Sequence, residues 1–518
     1  MANDTLARMF WDRVERSAAT PAQQFKTGGV WKTITWREVG DVVRELALGL
    51  IALGRQKGDA VALLSGSRAE WVQADFAIFS AGCVTVPVYP SYPPRPRRVR
   101  RERLRRAHDR RRGPGAAREG AGGAGADAGA GAHRRPMEKG WVHLLFLPLA
   151  HSFARLESFL GVAHGLTTAF AENLDKVGDN LKETRPHFIC SVPRVFEKVY
   201  AKILAGVEAG SPVKKKIFHW AVSVGRDVSR HQQRGQPVPA GLEWKRKIAH
   251  KLVFSKLHTA LGGRLVWAVS GGAPLSRDIA EFFHAAGILL LEGYGLTETC
   301  PALTFNRPAK YKFGSVGQAL PGVELRIAAD GEILAKGPNI ATRGYFKQAQ
   351  ATAEVFEPDG WFHTGDIGTI DQDGFLFITD RKKDLIVTAG GMNIAPQNVE
   401  NLLKADPFIS QVMVYGDRRP YPVALITLNP EELQRFARDQ GLLTTDPAVI
   451  VKHPKILERV GRTVEEKNTQ LQSYAQIKKF SVLPADFTLD GGELTPTLKV
   501  KRKVVSQKYQ AAIEELYR

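Results

Sequence analysis

Small and polar residues that could bind a nucleotide are concentrated in four short segments of the sequence. The first, SGGAP at residues 270–274, stands directly after a predicted buried strand and directly before a predicted helix. Residues with little or no side chain let a flat ligand approach the backbone, and the N-terminus of a helix favours an anion. The same pattern is typical of an ordinary tight turn, so this segment indicates ligand binding only together with the others.

The second segment, EGYGLTET at residues 292–299, again follows a predicted strand. Two glycines flank Tyr294 and leave a face of its ring open for stacking on an adenine. Thr297 offers a hydroxyl group to a phosphate, and Glu298 is a hard oxygen ligand of the kind that Mg²⁺ prefers. Taken alone, the segment could equally be a glycine-rich loop with an acid at its surface.

The remaining two segments carry charged residues. In GWFHTGD, residues 360–366, Asp366 stands next to a glycine and could accept both hydroxyl groups of a ribose, as acidic residues do in nucleotide-binding folds. In DRKKDLI, residues 380–386, charges of both signs meet at a predicted domain boundary. A solvated linker is the ordinary interpretation of such a segment on its own.

Alternating strands and helices must position these segments, and that alternation favours a parallel sheet. Near the start, Thr35 caps a predicted helix, and strands are predicted at Ala60–Leu64 and Cys83–Val88. The apolar positions of that helix are Val39, Val42, Leu46, Leu50 and Leu53. Residues 315–379 change to hairpins with Asp-Gly turns, which predict a small antiparallel β subdomain, and strands and helices return beyond residue 380.

Half of the formal net charge of +20 lies in one tract. Residues 95–135 hold 14 arginines, no lysine and four acids, which is a net +10 in 41 residues. The tract has almost no apolar side chain larger than alanine, so it cannot offset its ordering entropy by burial and is predicted to be disordered. No aromatic residues are interleaved for base stacking and no recognised nucleic-acid-binding module accompanies it, so specific nucleic-acid binding is not expected.

The three cysteines give no sign of a disulfide framework or a metal site. Cys83, Cys190 and Cys300 are too few and too widely spaced, and burial as small apolar side chains is expected. No apolar run reaches the roughly 18 residues that a membrane span needs. The first residues carry charges throughout and lack the apolar stretch of a signal peptide, so a cytoplasmic location is the expectation.

Taken together, the four segments resemble the adenylate-forming enzymes, which include acyl-CoA synthetases, luciferases and the adenylation domains of peptide synthetases. PLAHSFAR near residue 148, SVPRVFEKVYAKI at residues 191–203 and LTPTLKVKR at residues 494–502 are similar to the long-chain fatty acid–CoA ligases of that superfamily. The resemblance covers residues 1–90 and 141–518.

The resemblance implies an α/β fold with two domains. Residues 1–379 would form a large N-terminal adenylation domain of α/β subdomains plus a small β subdomain, and residues 380–518 a smaller, mobile α+β C-terminal lid domain. Lys383 would be the hinge between them.

The resemblance also implies a role for each matching residue. Tyr294 would stack on adenine, Asp366 would take the ribose hydroxyls, and Arg381 would reach the ribose or a phosphate. Lys499 would contact the α-phosphate and the carboxylate during adenylation, with Thr297 and Glu298 as its catalytic partners and Glu298 as the Mg²⁺ ligand. The residues implied to bind ATP or AMP are Gly271, Gly272, Ala273, Pro274, Glu292, Gly293, Tyr294, Gly295, Thr297, Asp366, Arg381 and Lys499.

Two further groups of residues are implied to bind the other substrates. The acyl pocket would be lined by His151, Gly271 and Gly295. Coenzyme A would be received by Gly390 and Gly391, in the loop of residues 388–393, after the C-terminal domain rotates.

One part of the family pattern is missing. A Ser/Thr/Gly-rich phosphate loop ending in Pro-Lys-Gly should lie between the Val88 strand and PLAHSFAR, where residues 92–136 stand instead. Arg/Gly/Ala repeats do not reproduce a loop of backbone N–H groups around phosphates. The hypothesis is that residues 92–136 are an out-of-frame translation joined to a deletion of the phosphate-loop region, so that the chain binds ATP poorly.

The implied function is that of a long-chain fatty acid–CoA ligase that uses ATP, Mg²⁺ and coenzyme A. A fatty acid is activated as an acyl-adenylate and then transferred to the thiol of coenzyme A. Two alternatives stay open: a ligase of a medium-chain or aryl acid, and a noncatalytic ligase-like protein that keeps the fold for interactions. Peripheral contact with the inner membrane surface is expected because fatty acids partition into bilayers.

Overall fold

The computed structural model describes residues 5–90, 137–442, 446–495 and 498–518. The disorder predicted for residues 92–136 therefore falls outside the described residues. The chain divides into two compact units, Met1–Cys190 with Ser255–Ala268 and Ser191–Phe254 with Val269–Arg518.

Helices and strands alternate along most of the described chain. The helices are α1 (Leu6–Ser17), α2 (Trp36–Ala52), α3 (Ala69–Ser80), α4 (Ser152–His164), α5 (Val177–Thr184), α6 (Pro193–Glu208), α7 (Pro212–Gln233), α8 (Ala240–Ala249), α9 (Ser255–Ala260), α10 (Arg277–Ala285), α11 (Ala349–Ala353), α12 (Pro396–Lys404), α13 (Pro430–Asp439), α14 (Pro447–Ile450), α15 (Pro454–Asn468), α16 (Arg502–Lys508) and α17 (Gln510–Glu515). The strands are β1 (Pro21–Thr27), β2 (Val30–Thr35), β3 (Ala60–Leu64), β4 (Val84–Val88), β5 (Val142–Leu145), β6 (Thr167–Phe170), β7 (Phe188–Ser191), β8 (Trp267–Gly271), β9 (Leu289–Tyr294), β10 (Thr304–Phe305), β11 (Gln318–Ala319), β12 (Glu324–Ile327), β13 (Glu332–Lys336), β14 (Phe362–Ile370), β15 (Leu376–Arg381), β16 (Ile386–Val387), β17 (Asn393–Ile394), β18 (Ile409–Tyr415), β19 (Val423–Leu428) and β20 (Lys479–Leu483). No described helix is long and apolar enough to span a membrane.

The first unit contains two sheets. Its larger sheet runs β7-β5-β6-β1-β2, in which β5 pairs parallel with β6 and β7, β6 pairs parallel with β1, and only β2 is antiparallel. Strands β3 and β4 form a separate parallel pair. The predicted strand at residues 60–64 is confirmed at those bounds, and the α/β character of this region is confirmed as well.

Helix α2 forms as predicted but buries a different face. Thr35 accepts a hydrogen bond from the Glu38 backbone N–H while the Glu38 carboxylate accepts one from the Thr35 N–H, so a complete capping box starts the helix. Its buried residues are Trp36, Val39, Gly40, Val43 and Ala47. The prediction that Val42, Leu46 and Leu53 lie on the buried face together with Val39 is therefore wrong, because the buried face is rotated toward Val43 and Ala47 and leaves these three side chains exposed.

Exposed apolar side chains gather on α2 and on the β3–β4 pair. We call them the open apolar residues: Leu46, Leu48, Ile51, Leu53, Leu64 and Val84, which are 44, 59, 52, 75, 53 and 53% exposed. Scattered exposed leucines are ordinary in soluble proteins, but several on neighbouring elements of one region are typical of a surface that another part of a fold would cover.

The second unit contains the elements around the predicted ligand-binding segments. Strands β8 to β11 pair in the order β11-β10-β9-β8, and β12 to β15 form a four-stranded antiparallel sheet, which confirms the predicted small β subdomain. Farther along, β18 pairs antiparallel with β19, and β19 pairs parallel with β20. The predicted domain boundary between residues 379 and 380 stays a prediction and falls within this unit, near the end of β15.

Helix α15 ends earlier than its polar pattern indicates. The polar pattern predicts one long helix near residues 453–474, but the helix ends at Asn468. The Asn468 side chain donates to the Ile477 carbonyl oxygen and accepts from the Ile477 N–H, both at 3.0 Å. These bonds to the segment just before β20 favour a helix end at Asn468.

Candidate functional site

The first segment bridges a strand and a helix, as expected, but the strand ends two residues later than predicted. Strand β8 continues through Ser270 and Gly271, and Gly272 then turns the chain with a φ of +80°, a conformation that favours glycine. The Ser270 hydroxyl is buried and has no hydrogen-bond partner within the described residues. Helix α10 follows at residue 277, so Ala273 and Pro274 lie in the short connection between them.

Glu292 ties this connection to strand β9. Its Oε2 accepts a hydrogen bond from the Leu275 backbone N–H at 3.3 Å, and the side chain is only 6% exposed. Burial raises the pKa of Glu292 to about 8, so the side chain is mostly protonated at neutral pH. The residue therefore serves as a neutral anchor beneath the turn.

Strand β9 extends two residues beyond its predicted end and carries Tyr294 directly to Asp366. The tyrosine hydroxyl donates to Asp366 Oδ2 at 2.6 Å, while the ring packs against an apolar cluster that includes Leu303 and Phe362. Burial and the neighbouring carboxylate raise the pKa of Tyr294. After it, Gly295 has no room for a side chain, because an added Cβ would overlap the Pro301 carbonyl oxygen.

The pairing of two strands places Asp366 opposite Arg381. In the β14–β15 register these residues are partners, and Arg381 Nε lies 3.3 Å from Asp366 Oδ1. Asp366 is only 5% exposed, and its burial raises its pKa against the lowering effects of Tyr294, Arg381 and Lys499. A carboxylate and a guanidinium 15 residues apart in sequence thus form one polar centre.

Lys499 reaches the same centre from the C-terminal end of the chain. The Thr495 N–H donates to the Lys499 carbonyl oxygen and the Lys499 N–H donates to Thr495 Oγ1, so two hydrogen bonds join these residues. Leu498, just before it, has a φ of +60°, in the left-handed region that non-glycine residues rarely adopt. Such backbone conformations persist only where the surroundings enforce them.

The charge of Lys499 interacts electrostatically with the charges of Asp366 and Arg381. Although solvent still reaches the side chain, crowding by protein atoms and the Arg381 charge lower the pKa of Lys499, and Asp366 opposes this shift. Arg381, in contact with Asp366, and Lys499, whose charge acts on both, add positive charge around this carboxylate, which favours a phosphate or carboxylate ligand.

Glu298 stands at the edge of a nearby cavity. Tyr345 donates its hydroxyl hydrogen to Glu298 Oε1 at 2.8 Å, and the Ala341 N–H donates to the Glu298 carbonyl oxygen at 2.7 Å. The cavity has a volume of about 450 Å³, and its lining includes Leu296, Thr364 and Gly365. Gly365 is the residue directly before Asp366 in β14.

The donor set around Glu298 fits a magnesium ion that a polyphosphate also binds. The described residues contain no group of three or more acidic, histidine or cysteine side chains suited to holding a metal by themselves. One carboxylate with a free oxygen is, however, what the protein supplies when Mg²⁺ is held mainly by substrate phosphates and water.

Two family profiles match most of the chain. The AMP-binding enzyme profile matches residues 10–102 and 124–346, and the profile of the AMP-binding enzyme C-terminal domain matches residues 383–518. The chain belongs to the AMP-binding enzyme family. Its relatives by sequence are fatty-acid–CoA ligases, so it belongs with the acid–thiol ligases that form AMP.

Long-chain-fatty-acid–CoA ligase FadD15 of Mycobacterium bovis is 36% identical over 591 aligned positions, covering 99% of this chain and 97% of the relative. That alignment exceeds the chain's 518 residues by 73, so at least 73 positions of the relative have no counterpart here. This shortfall is consistent in size with the missing interval that the sequence indicates.

Solved structures of AMP-binding enzymes share the fold. The adenylation domain of a carboxylate reductase from Mycobacterium chelonae matches with a TM-score of 0.71 at 21% identity, covering 100% of this chain and 92% of that one. O-succinylbenzoate coenzyme A synthetase from Bacillus subtilis, solved with ATP and a magnesium ion, matches with a TM-score of 0.62 at 20% identity, covering 96% and 98%. The predicted α/β class, with a large N-terminal and a smaller C-terminal domain, is confirmed.

Several predicted site residues of this AMP-binding enzyme have no described hydrogen bond or ion pair with the polar centre. His151 belongs to the other compact unit, where its Nδ1 accepts from the Phe153 N–H at the start of α4. Gly390 and Gly391 lie exposed in the turn between β16 and β17, and no described hydrogen bond joins them to the centre. Lys383 is exposed in the turn that follows Arg381. Their predicted roles stay predictions.

The fourth segment is not a solvated linker. Asp380 is fully buried and accepts hydrogen bonds from the N–H groups of Arg381 and Gln397, and its burial raises its pKa to about 6. Lys382 pairs with Asp330 at 2.6 Å and Glu332 at 2.9 Å. The segment is therefore anchored on both sides of Arg381.

Sequence reasoning missed two contributors to this region and misplaced a cysteine. Tyr345 is 47 residues from Glu298, and Glu332, which also accepts from the Gly365 N–H, lies 34 residues before Asp366; no local spacing links them. Cys83 and Cys190 are buried as expected, but Cys300 is exposed. That expectation was wrong because Cys300 ends the 3₁₀ turn at residues 297–299 and faces outward.

Proposed function

We propose that this chain is a long-chain fatty acid–CoA ligase. The observation that carries the proposal is the polar centre in which Asp366, Arg381 and Lys499 meet beside Tyr294. The acid-activating family and the 36% identity to a ligase named for long-chain fatty acids favour that substrate class.

The proposed first half-reaction joins the acid to the nucleotide. A carboxylate oxygen of the fatty acid attacks the α-phosphorus of ATP, the bond to the β-phosphate oxygen breaks, and pyrophosphate leaves. Asp366 would hold the ribose hydroxyls, with Tyr294 stacked on the adenine and Arg381 near the ribose or phosphates. Lys499 would neutralise oxygens of both the acid and the α-phosphate, where negative charge is crowded in the transition state.

In the second half-reaction the thiol sulfur of coenzyme A attacks the acyl carbonyl carbon, and AMP leaves as the carbon–oxygen bond breaks. Gly390 and Gly391 are the proposed receiving loop for coenzyme A, and His151, Gly271 and Gly295 the proposed lining of the acyl pocket. A magnesium ion held by Glu298 would supply charge neutralisation for the phosphates. The ATP and magnesium ion in the Bacillus subtilis synthetase support both ligands here.

A noncatalytic or weakened ligase is the second candidate, and two observations favour it. At least 73 positions of the Mycobacterium bovis relative lack a counterpart, and the open apolar residues lie on α2, β3 and β4, directly before residues 91–136. We propose that the chain lacks the phosphate loop and part of the surrounding α/β layer. The polar centre would then still bind the adenosine part of ATP, but the β- and γ-phosphates would be bound more weakly.

Release of pyrophosphate with ATP, Mg²⁺, coenzyme A and palmitate tests the proposal, with Lys499→Ala as the control. The ligase assignment predicts palmitate-dependent release that Lys499→Ala lowers at least about a hundredfold. Release that is absent, together with measurable AMP binding, would identify the noncatalytic alternative. Competition among palmitate, octanoate and benzoate separates long-chain from medium-chain and aryl acids.

Location belongs to the same proposal. We place the reaction in the cytoplasm with peripheral contact at the inner membrane surface, because long-chain acids partition into bilayers. Sedimentation with phosphatidylglycerol vesicles, with and without palmitate, measures that contact. Protein that stays in the supernatant in both cases would remove membrane contact from the proposal.

A further inference from the structure

Helix α6 makes its strongest polar contacts with a part of the chain more than 200 residues away. Arg194, its second residue, donates from Nη1 to the Ser410 carbonyl oxygen at 2.7 Å and from Nη2 to Ser410 Oγ at 2.6 Å. Arg194 Nη2 also lies 3.4 Å from Asp486 Oδ2. A forked pair of donors fixes both distance and orientation, which a single point charge does not.

The partners of Arg194 are themselves held in place. Asp486 Oδ1 accepts hydrogen bonds from Thr427 Oγ1 at 2.6 Å and from the Phe487 N–H at 3.0 Å, while Ser410 Oγ bonds Asp486 Oδ2. Ser410 is 3% exposed and Thr427 is fully buried. Because Ser410 lies on β18 and Thr427 on β19, Arg194 is bonded to the framework of a sheet, not to a surface loop.

That sheet continues to the Lys499 loop through apolar packing. Met413 of β18 and Leu425 of β19 are buried in one cluster, and Leu498 and Val500 pack against it. Leu498 and Val500, the two neighbours of Lys499, therefore pack against the same β18–β19 sheet to which Arg194 is hydrogen-bonded.

Helix α6 belongs, in turn, to the part of the chain that carries the nucleotide-binding segments. It lies within the AMP-binding enzyme match at residues 124–346, whereas Ser410, Asp486 and Lys499 lie within the C-terminal match at residues 383–518. Two further contacts lie along the same helix: Arg435 donates to the Ala205 carbonyl oxygen at 2.7 Å, and Lys404 lies 4.0 Å from Glu197.

We propose that Arg194 is a positioning residue that sets where Lys499 stands relative to Asp366 and Arg381. Arg194 touches none of the reacting groups. It acts by fixing the β18–β19 sheet on α6, and thus the loop that presents the lysine. The inference rests on the proposed function only in its effect on rate, since the placement of Lys499 is a property of the free protein.

The first test measures that placement without catalysis. The pH dependence of Lys499 acetylation by acetic anhydride, followed by mass spectrometry on the full chain, reports the pKa of its ammonium group. Arg194→Ala should shift this profile upward toward that of an ordinary lysine, because the lysine leaves Arg381 and its crowded surroundings. Arg194→Lys should give a partial shift, since it keeps the charge but loses the fork.

Arg459→Ala is the matched control. Arg459 also pairs with a carboxylate, Asp406, at 2.9 and 3.1 Å, but that pair lies wholly within the C-terminal match. Its loss should leave the Lys499 profile unchanged even if it lowers the melting temperature. An unchanged profile in Arg194→Ala, or an equal shift in Arg459→Ala, would overturn the proposal.

The second test is a double-mutant cycle on pyrophosphate release. Arg194→Ala should lower the rate by about tenfold to a hundredfold, as small misplacements of a catalytic group do. In a Lys499→Ala background the same change should alter the rate by less than about twofold, because contacting or coupled sites are not additive. Full additivity would show that Arg194 acts independently of Lys499 and would refute the inference. If the parent chain releases no pyrophosphate, the ligase proposal fails while the acetylation profiles still decide the role of Arg194.

Discussion

Two regions of this AMP-binding enzyme differ in how completely they are built. Around Asp366, side chains from β9, β14, β15 and the C-terminal loop converge, and every charge there has a neighbour of opposite sign. On α2, β3 and β4, Leu53 and Leu64 are more than half exposed although they belong to predicted core elements. The polar centre and this exposed apolar surface belong to different compact units and depend on different contacts, so one can be fully paired while the other is left open.

The largest effect is expected from restoring the segment that we propose is missing after β4. Replacing residues 91–136 by the corresponding segment of the Mycobacterium bovis ligase should raise pyrophosphate release at least about a thousandfold, since a single oxyanion donor is worth about a hundredfold to a thousandfold. An insertion of equal length made of glycine and serine is the control and should leave the rate unchanged. No gain from the natural segment would show that residues 91–136 do not limit the reaction.

The second prediction concerns the polar centre, where Asp366 is the central carboxylate. Asp366→Asn should raise the KM for ATP roughly a hundredfold, because hydrogen bonds to charged groups contribute about 1.5–3 kcal/mol each. Asp371→Asn, in the turn of the same hairpin and paired with Lys312, is the control and should change KM less than about twofold. Steady-state kinetics of both variants decide the point, and equal effects would contradict a ribose role for Asp366.

A pH series probes the neutral anchor under the turn. Burial moves the pKa of Glu292 from 4.5 to about 8, so the unfolded chain releases this proton first as pH rises. The contribution of Glu292 to the free energy of unfolding should therefore fall between these two pH values, by at most about 1.4 kcal/mol per pH unit. Glu292→Gln keeps an acceptor for the Leu275 N–H and removes the titration. The stability of this variant relative to the parent should rise with pH across that window in urea unfolding; parallel curves would argue against a buried, neutral Glu292.

The smallest expected effect concerns the open apolar residues. Leu64→Ser should change the free energy of unfolding by less than about 0.5 kcal/mol in the present chain, as exposed substitutions do. In the chimera that carries the Mycobacterium bovis segment in place of residues 91–136, the same substitution should lower the free energy of unfolding by about 2 kcal/mol or more, because the side chain would then be buried. Urea unfolding of the present chain and of the chimera, each with and without Leu64→Ser, measures the difference. A large cost in the present chain would mean that Leu64 is already part of a core.

The local parts of the fold were predictable from sequence because their causes are local. Thr35 and Glu38 start α2 through a capping box, and the Asp-Gly turns give the hairpins of the β subdomain. The buried face of α2 was not predictable, since both stripes of that helix are apolar and only its neighbours decide which one is covered.

The candidate site likewise contains some residues that the sequence indicates and others that it does not. The resemblance indicates Tyr294, Asp366, Arg381 and Lys499 as candidates. The β14–β15 register and the Tyr294 hydroxyl bring the first three together, and the charge of Lys499 acts on Asp366 and Arg381. Tyr345 and Arg194 carried no signal of their own, because the partner of each stands far away in sequence: Glu298 for Tyr345 and Ser410 for Arg194. Long-range partners are set by packing, which a single sequence does not display.

The β14–β15 hairpin has a consequence for how this enzyme can vary. Asp366 and Arg381 face each other only in one strand alignment, and side chains alternate between faces along each strand. Deleting or adding a single residue in the turn after Ile370 would turn one of the two groups to the opposite side of the sheet. Natural variants and engineered chimeras should therefore keep the length of this turn constant.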